Sequence, residues 1–207
     1  ALKIVKEFFD NHKEINLVSS EIYYFGARKG EHKSNWRFEE REIVDIAEDF
    51  NYPQYYIGGV FIRRKALRHI RFNEKMSFWE DAMAINQVII REGKYGLAKG
   101  AVYYYRKMEN ESSLVDKAWK SKDRYTTFLE DGYMSLMKYC KSRRFKVIPY
   151  IQFVVAYHLR LFLLESNREA VLEMVSPEEM PAFKESLGKV LENVEDRVIV
   201  QMNAALP

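Results

Sequence analysis

The sequence lacks several features that identify common protein classes. Its 207 residues include one cysteine, five prolines and four histidines. The single cysteine, Cys140, excludes an intramolecular disulfide, so we expect a reducing compartment and a structural thiol. The scattered histidines have no ligand spacing, and the sequence predicts no metal site from them. A Gly-rich phosphate loop and a G-x-S-x-G nucleophile elbow are also missing, which argues against P-loop and hydrolase chemistry.

Charge of one sign is not in excess, and long hydrophobic runs are absent. Lys and Arg number 33 and Asp and Glu number 30, so the net charge is +3. The basic residues are spread along the chain, and we infer no nucleic-acid partner. The most apolar stretch, 150–164, contains Gln152, His158 and Arg160 and is too short to span a membrane. With no secretory signal at its start, the sequence predicts a cytoplasmic protein that associates with a membrane at most peripherally.

The periodicity of the apolar residues changes near residue 113. Before this point, helices are predicted at 1–10, 42–50 and 81–92 and strands at 15–20, 55–62, 95–97 and 101–105. After it, every pattern is helical, over 116–143, 149–165, 177–191 and 194–205. The predicted fold class is therefore α/β, a mixed sheet with flanking helices over 1–113, followed by an all-helical C-terminal region over 114–207. We expect one helix of this tail to cover the α/β part.

An acidic pair in an aromatic setting is the most informative motif. Phe78-Trp79-Glu80-Asp81 stands at the start of the helix predicted over 81–92, which Gly93 is placed to end. Acids at a helix start are commonly there because the positive end of the helix dipole favours negative charge, and flanking aromatics are commonly core residues. The alternative is a positioned carboxylate that removes a proton from a reacting hydroxyl. The helix N-terminus would help to keep Asp81 ionised for that role.

A second group of polar residues follows at a fixed distance. Arg106 comes after three tyrosines, and Ser112 and Ser113 come after a polar segment. Taken alone, they are a strand-end residue and a loop. Taken together, an arginine that binds phosphate oxygens bidentately and hydroxyls that cap the contact could hold a diphosphate. Gly58 and Gly59, inside a predicted strand, indicate either tight packing or a close approach of backbone to a ligand.

The order of these blocks resembles the second half of a family 2 glycosyltransferase, a nucleotide-sugar-dependent group with the GT-A fold. The resemblance implies that Asp81 is the general base on the acceptor hydroxyl and that Glu80 holds the acceptor or orients Asp81. It implies contact with the donor diphosphate for Arg106, Ser112 and Ser113. The substrate-binding set is completed by Trp79, Gly58 and Gly59. On this basis 1–113 is the acceptor-side half of a GT-A domain.

The first half of that fold is missing from this sequence. In the family it binds the nucleotide and ends in a D-x-D motif, which holds a divalent metal on the diphosphate, and no D-x-D occurs here. We therefore expect a fragment of a longer enzyme, in which the full-length protein binds Mg²⁺ or Mn²⁺ and the fragment binds no metal. The fragment alone is expected to be inactive.

The resemblance implies an inverting sugar transfer to a polyol, glycan or lipid-linked hydroxyl acceptor in bacterial surface-polysaccharide or teichoic-acid-type synthesis. Such enzymes work at the inner face of the membrane. Two alternatives stay open at this point. The region is an accessory part of a CDP-glycerol glycerophosphotransferase, or it is a non-catalytic module that binds a protein partner.

Overall fold

The computed structural model describes residues 1–68, 70–74, 76, 78–108 and 114–204. Its first part contains helices and strands in alternation. They are α1 (Leu2–Asn11), β1 (Leu17–Gly26), β2 (Gly30–Glu31), α2 (Arg37–Glu40), β3 (Ile43–Asp45), β4 (Val60–Ile62), α3 (Arg64–Leu67), α4 (Glu80–Glu92) and β5 (Lys94–Lys107). This arrangement confirms the predicted α/β class, with a mixed sheet and flanking helices.

The sheet is built around β1. This strand pairs in parallel with β5 on one edge, and antiparallel with β2 and β4 on the other. β3 pairs antiparallel with the far side of β5. Helix α1 packs on the sheet through Val5 and Phe8, which form a small cluster with Val18 of β1. The start of β1 is therefore covered, and its end extends towards the surface.

One long strand replaces the two short strands predicted at 95–97 and 101–105. β5 runs without interruption, but its register with β1 shifts between Ser20, which lies opposite Ala98, and Glu21, which lies opposite Val102. The extra residues form a bulge in which Gly100 has a φ of +79°. The Gly100 N–H donates to the Glu21 carboxylate at 2.9 Å, and this bond holds the bulge.

Two other predictions in this part are wrong. The helix predicted at 42–50 is instead β3 followed by turns, because Val44 pairs with Tyr95 of β5. The strand predicted at 55–62 is confined to β4, because Gly59 adopts a φ of +75° and turns the chain. The Gly59 carbonyl then accepts hydrogen bonds from the Ser20 N–H at 2.9 Å and the Ser20 hydroxyl at 2.8 Å.

The C-terminal region contains helices and no strand among its described residues, as predicted. Its helices are α5 (Leu114–Trp119), α6 (Ser135–Arg144), α7 (Pro149–Leu159), α8 (Arg168–Met174), α9 (Met180–Leu191) and α10 (Asp196–Ala204). The long helix predicted at 116–143 is interrupted by a 3-10 turn at Lys122–Tyr125 and a π-helical turn at Leu129–Met134. No described helix has the length and apolar character needed to cross a membrane.

One hydrophobic core joins the sheet to the tail. In α4 every residue from Ala82 to Ile90 is buried, as expected for a helix covered on all sides. The Tyr150 hydroxyl of α7 accepts a hydrogen bond from the Gln54 N–H at 3.2 Å, and the Tyr55 hydroxyl donates to the Val154 carbonyl at 2.9 Å. The expectation that a tail helix covers the α/β part is therefore confirmed.

Candidate functional site

Asp81 lies in the first turn of α4 with its side chain partly buried. Its Oδ1 accepts a hydrogen bond from the Ala82 N–H at 2.7 Å. The backbone N–H of Ile57 also acts on this carboxylate as a hydrogen-bond donor. The carboxylate is therefore held between the helix start and the irregular segment 55–57, which approaches β1 from the side of β4.

Burial raises the pKa of Asp81 above its ordinary value of 3.8. The Ala82 N–H acts against burial and lowers the pKa, while the negative charge of Glu80 raises it. The helix start does favour the ionised form, as expected from the sequence, but burial outweighs it. A carboxylate of raised pKa is a stronger base than an exposed one, which suits removal of a proton from a hydroxyl near neutral pH.

Trp79 holds the start of α4 in an uncommon backbone conformation. Its φ of +64° is left-handed, which costs a residue with a Cβ about 1–2 kcal/mol. The indole is 8% exposed and stacks on His158, with ring centroids 5.6 Å apart. The Tyr133 ring meets the indole edge-on at 5.2 Å, and the Tyr133 hydroxyl bonds to His158 Nδ1 at 2.6 Å. This packing favours a positioning role for Trp79, and its contact with substrate stays a prediction.

The imidazole beneath Trp79 carries no charge at neutral pH. Burial, together with the nearby positive charge of Arg124, lowers the pKa of His158 to about 3. The Arg124 guanidinium is itself buried and lies 3.8 Å from the centre of the Trp119 ring. The aromatic cluster behind the acidic pair therefore contains an uncharged His158, and it holds the start of α4 by packing.

Gly58 and Gly59 lie just before β4, against side chains of β1 and β5. A Cβ at Gly58 would stand 2.8 Å from Tyr103 Cε1, and one at Gly59 would stand 2.4 Å from the Ser20 hydroxyl oxygen. Packing against Tyr103 and Ser20 therefore requires both glycines. Because they adjoin Ile57, they also determine where the backbone meets Asp81. Their direct contact with substrate stays a prediction.

Of the three predicted diphosphate residues, the structure describes only Arg106. Arg106 is exposed near the end of β5, with Phe25 opposite it on β1. Side chains alternate along a strand, so Arg106 belongs to the other face of β5 from Tyr103 and Tyr105. No hydrogen bond or ion pair between described residues joins Arg106 to Asp81. Ser112 and Ser113 lie outside the described residues, and the roles of all three stay predictions.

Sequence reasoning missed a cavity of about 170 Å³ between the α/β part and α7. Tyr55 and Tyr56 on one side and Tyr157 and Arg160 on the other are among its lining residues. The one available signal was Arg160, a charged residue in an otherwise apolar stretch, where a charge needs a reason. The cavity adjoins Ile57 and therefore the segment that contacts Asp81.

The described residues do not form a metal centre by themselves. No group of three or more His, Cys, Asp or Glu side chains within the described ranges is close enough to hold a metal ion. Glu80 and Asp81 alone supply two carboxylates, fewer than a metal site of protein ligands requires. The described part of the chain therefore supplies no complete set of metal ligands of its own.

Comparison with solved structures identifies the fold. S. aureus TarS 1-349 in complex with UDP-GlcNAc superposes with a TM-score of 0.60 at 18% identity, over 95% of this chain and 54% of that one. This chain has the TarS fold. A second TarS 1-349 structure, in complex with UDP, gives a TM-score of 0.55 at 16% identity, over 95% of this chain and 53% of the TarS chain. The likeness to TarS covers the tail as well as the sheet.

Comparison with curated sequences finds closer relatives than TarS. The chain is 35% identical over 205 residues to the minor teichoic acid biosynthesis protein GgaA of Bacillus subtilis strain 168, covering 98% of this chain and 46% of GgaA. It is 31% identical over 199 residues to GgaB of the same organism, covering 95% of this chain and 22% of GgaB. The chain thus spans less than half of either relative. No family model matches the chain.

Proposed function

We propose that the full-length protein is a glycosyltransferase that moves a sugar from a nucleotide-sugar to a hydroxyl acceptor in the synthesis of a teichoic-acid-type polymer. The observation that carries the proposal is the Asp81 carboxylate, partly buried at the start of α4 and raised in pKa. Relatives named for minor teichoic acid biosynthesis support the pathway class. TarS, which shares the fold, has been seen with UDP-GlcNAc and with UDP, and this supports a nucleotide-sugar donor.

In the proposed reaction Asp81 takes the proton of the acceptor hydroxyl. The acceptor oxygen forms a bond to the anomeric carbon of the donor sugar as the bond from that carbon to the diphosphate oxygen breaks. The nucleoside diphosphate leaves with the bonding electrons, and the proton rests on the Asp81 carboxylate. Attack from the face opposite the leaving group inverts the anomeric centre. General base catalysis of this kind typically contributes ~10²–10⁴-fold in rate.

We assign the donor side of the reaction to residues other than those around Asp81. We assign the leaving diphosphate to Arg106, Ser112 and Ser113, because guanidinium and hydroxyl groups suit phosphate oxygens. In the full-length protein Mg²⁺ or Mn²⁺, held by residues beyond this chain, would supply further neutralisation of the diphosphate. We place the reaction in the cytoplasm, at the inner face of the membrane where a lipid-linked acceptor would be found.

Sugar transfer by the full-length protein tests the proposal. We expect nucleotide-sugar to be consumed with release of nucleoside diphosphate only when a teichoic-acid-type acceptor is present. Because the base must be ionised, kcat/KM should fall as the pH falls, with a midpoint above the ordinary aspartate value of 3.8. Absence of transfer with every UDP-sugar tried, at saturating acceptor and Mg²⁺, would contradict the assigned activity.

Binding of the donor by the chain alone is a separate prediction. Without a D-x-D motif, the chain should not bind a nucleotide-sugar with micromolar affinity, because the diphosphate would lack its metal ligands. Isothermal calorimetry with UDP-GlcNAc and Mg²⁺ measures this directly. Micromolar binding would show that the donor site is complete within these residues.

A further inference from the structure

The cavity between the α/β part and α7 contains basic residues and no carboxylate. His32, Lys33 and Arg37 line it from the segment after β2, and Arg160 lines it from the end of α7. Neither Asp nor Glu is among its lining residues. Within the described part of the chain, the ion pairs also leave out Lys33, Arg37 and Arg160. The positive charge around this cavity is therefore not neutralised by the protein's own described acids.

Arg37 and Arg160 are held in place by neutral groups. The Arg37 guanidinium donates to the carbonyl of Ser34 at 3.1 Å, to that of Pro53, and to the Tyr95 hydroxyl at 3.2 Å. The Arg160 guanidinium lies 4.6 Å from the centre of the Tyr157 ring. Its buried Nε has no hydrogen-bond partner among the described residues. A buried charged donor without an acceptor is costly, so a ligand with acceptor oxygens would stabilise it.

The lowered pKa of His32 indicates a positive electrostatic potential at the cavity. Burial, together with the positive charges of Arg37, Arg28 and Lys107, lowers the pKa of His32 to about 4. The ring is therefore neutral at pH 7. Its Nδ1 accepts a hydrogen bond from the Ser34 N–H at 3.0 Å, which leaves the ring proton on Nε2. The histidine thus adds a hydrogen-bond donor to a region of positive potential.

Aromatic rings form the rest of the wall. Tyr55 and Tyr157 stack with centroids 5.6 Å apart, and Tyr56 meets His32 edge-on at 4.6 Å. Rings of this kind present flat apolar faces beside a polar hydroxyl, which suits a ligand with both C–H and O–H groups. An anion with a polyol or sugar attached has this combination of groups.

The size and position of the cavity favour an acceptor over a donor. Its volume of about 170 Å³ is below the roughly 300–1,000 Å³ of pockets that take drug-sized ligands. A single phosphate-bearing unit therefore suits it better than a nucleotide-sugar. Tyr56 in its wall directly precedes Ile57, whose N–H acts on Asp81, and the charge of Asp81 is felt by the Tyr56 hydroxyl.

We propose that this cavity binds a phosphate group of the acceptor through Arg160, Lys33 and the His32 ring. The acceptor is then a phosphate-bearing polyol or glycan whose hydroxyl is presented to Asp81. This inference rests on the proposed function and names the substrate class of the same site. Charge-assisted hydrogen bonds from a guanidinium to phosphate oxygens supply both affinity and orientation.

Binding of small probes to the chain tests the inference. Glycerol 3-phosphate and glycerol are titrated by calorimetry or by NMR shifts, and glycerol 3-phosphate should bind at least about 10-fold more tightly because its phosphate meets the basic wall. Arg160→Gln should weaken glycerol 3-phosphate at least about 10-fold. Lys33→Gln, an exposed change that the fold tolerates, should weaken it by a smaller factor. The matched controls are Arg168→Gln and Lys29→Gln, which lie outside the cavity and should leave binding unchanged.

The outcomes separate this inference from the proposed function. Equal binding of glycerol and glycerol 3-phosphate, or binding unaffected by both Arg160→Gln and Lys33→Gln, overturns the inference. Displacement of glycerol 3-phosphate by UDP at lower concentration would mark the cavity as a donor site and also overturns it. Transfer by the full-length protein to acceptors with and without phosphate at equal kcat/KM leaves the proposed function standing and rejects this acceptor class. If the cavity binds phosphate but the full-length protein transfers no sugar, the phosphate site stands and the proposed function is rejected.

Discussion

Replacing Asp81 with asparagine is expected to lower the turnover number of sugar transfer by the full-length protein by at least ~10²-fold. Asparagine keeps the shape of the side chain but cannot accept the proton of the acceptor hydroxyl. Donor binding should be retained, because the diphosphate contacts are assigned to other residues. Steady-state kinetics with saturating donor, together with calorimetry of donor binding, measure the two effects separately.

Stability measurements show whether a loss of activity comes from unfolding. Burial raises the pKa of Asp81, so the ionised carboxylate destabilises the native state. The free energy of unfolding of the unmodified chain should therefore decrease as the pH rises above 3.8 and through the raised pKa of Asp81. Asp81→Asn removes this loss, so its Tm at pH 7 should equal or exceed that of the unmodified chain. Asp131→Asn, an exposed matched control, should change neither property. Near-normal turnover in Asp81→Asn rejects the assigned base.

Replacing Gly59 with alanine is expected to destabilise the chain by about 2–4 kcal/mol. A methyl group there would lie 2.4 Å from the Ser20 hydroxyl oxygen and 2.8 Å from Tyr103 Cβ, and the φ of +75° is unfavourable for any residue with a Cβ. The strain and the overlap add, because relief of one does not relieve the other. Urea unfolding, followed by circular dichroism, gives the change in the free energy of unfolding.

The matched control is Gly188 within α9. A Cβ there meets no atom within 4 Å, and its φ is not in the left-handed range. Gly188→Ala should therefore stabilise the chain by roughly 0.5–1 kcal/mol, because alanine is the better helix former. If Gly59→Ala were as stable as Gly188→Ala, the close approach of Gly59 to Ser20 and Tyr103 would be wrong.

Elements with a strong local signal were predictable from the sequence. The helix predicted at 81–92 is α4, and Gly93 ends it with a φ of +79°, as its position after the last periodic residue indicated. The helical character of the tail followed from its apolar spacing. The helix predicted at 42–50 failed because tertiary pairing of Val44 with Tyr95 overrides local propensity. The bulge at Gly100 depends on a strand partner and has no local signature that periodicity detects.

For the candidate site too, a contiguous motif was predictable from the sequence and a cavity built from distant segments was not. Asp81 was predicted from a contiguous motif, and the structure places it at a helix start as expected, while its catalytic role stays a prediction. The basic cavity was missed because it combines the segment around His32 and Arg37 with Arg160, more than a hundred positions later. Apart from Arg160, each of these residues alone is an ordinary surface or core residue. Only the docking of α7 against the sheet brings them together.

The burial of α4 on every side has a mechanical consequence. Helix α4, which carries the acidic pair at its start, packs against strands on one side and against α6 on the other. There the Arg144 guanidinium donates a hydrogen bond to the Ile90 carbonyl at 2.8 Å. Displacement of the Asp81 carboxylate with its helix would therefore require the surrounding core to repack. If Asp81 is the base of the proposed reaction, a fixed α4 sets where the acceptor hydroxyl must lie, and the surrounding loops and side chains would then discriminate among acceptors.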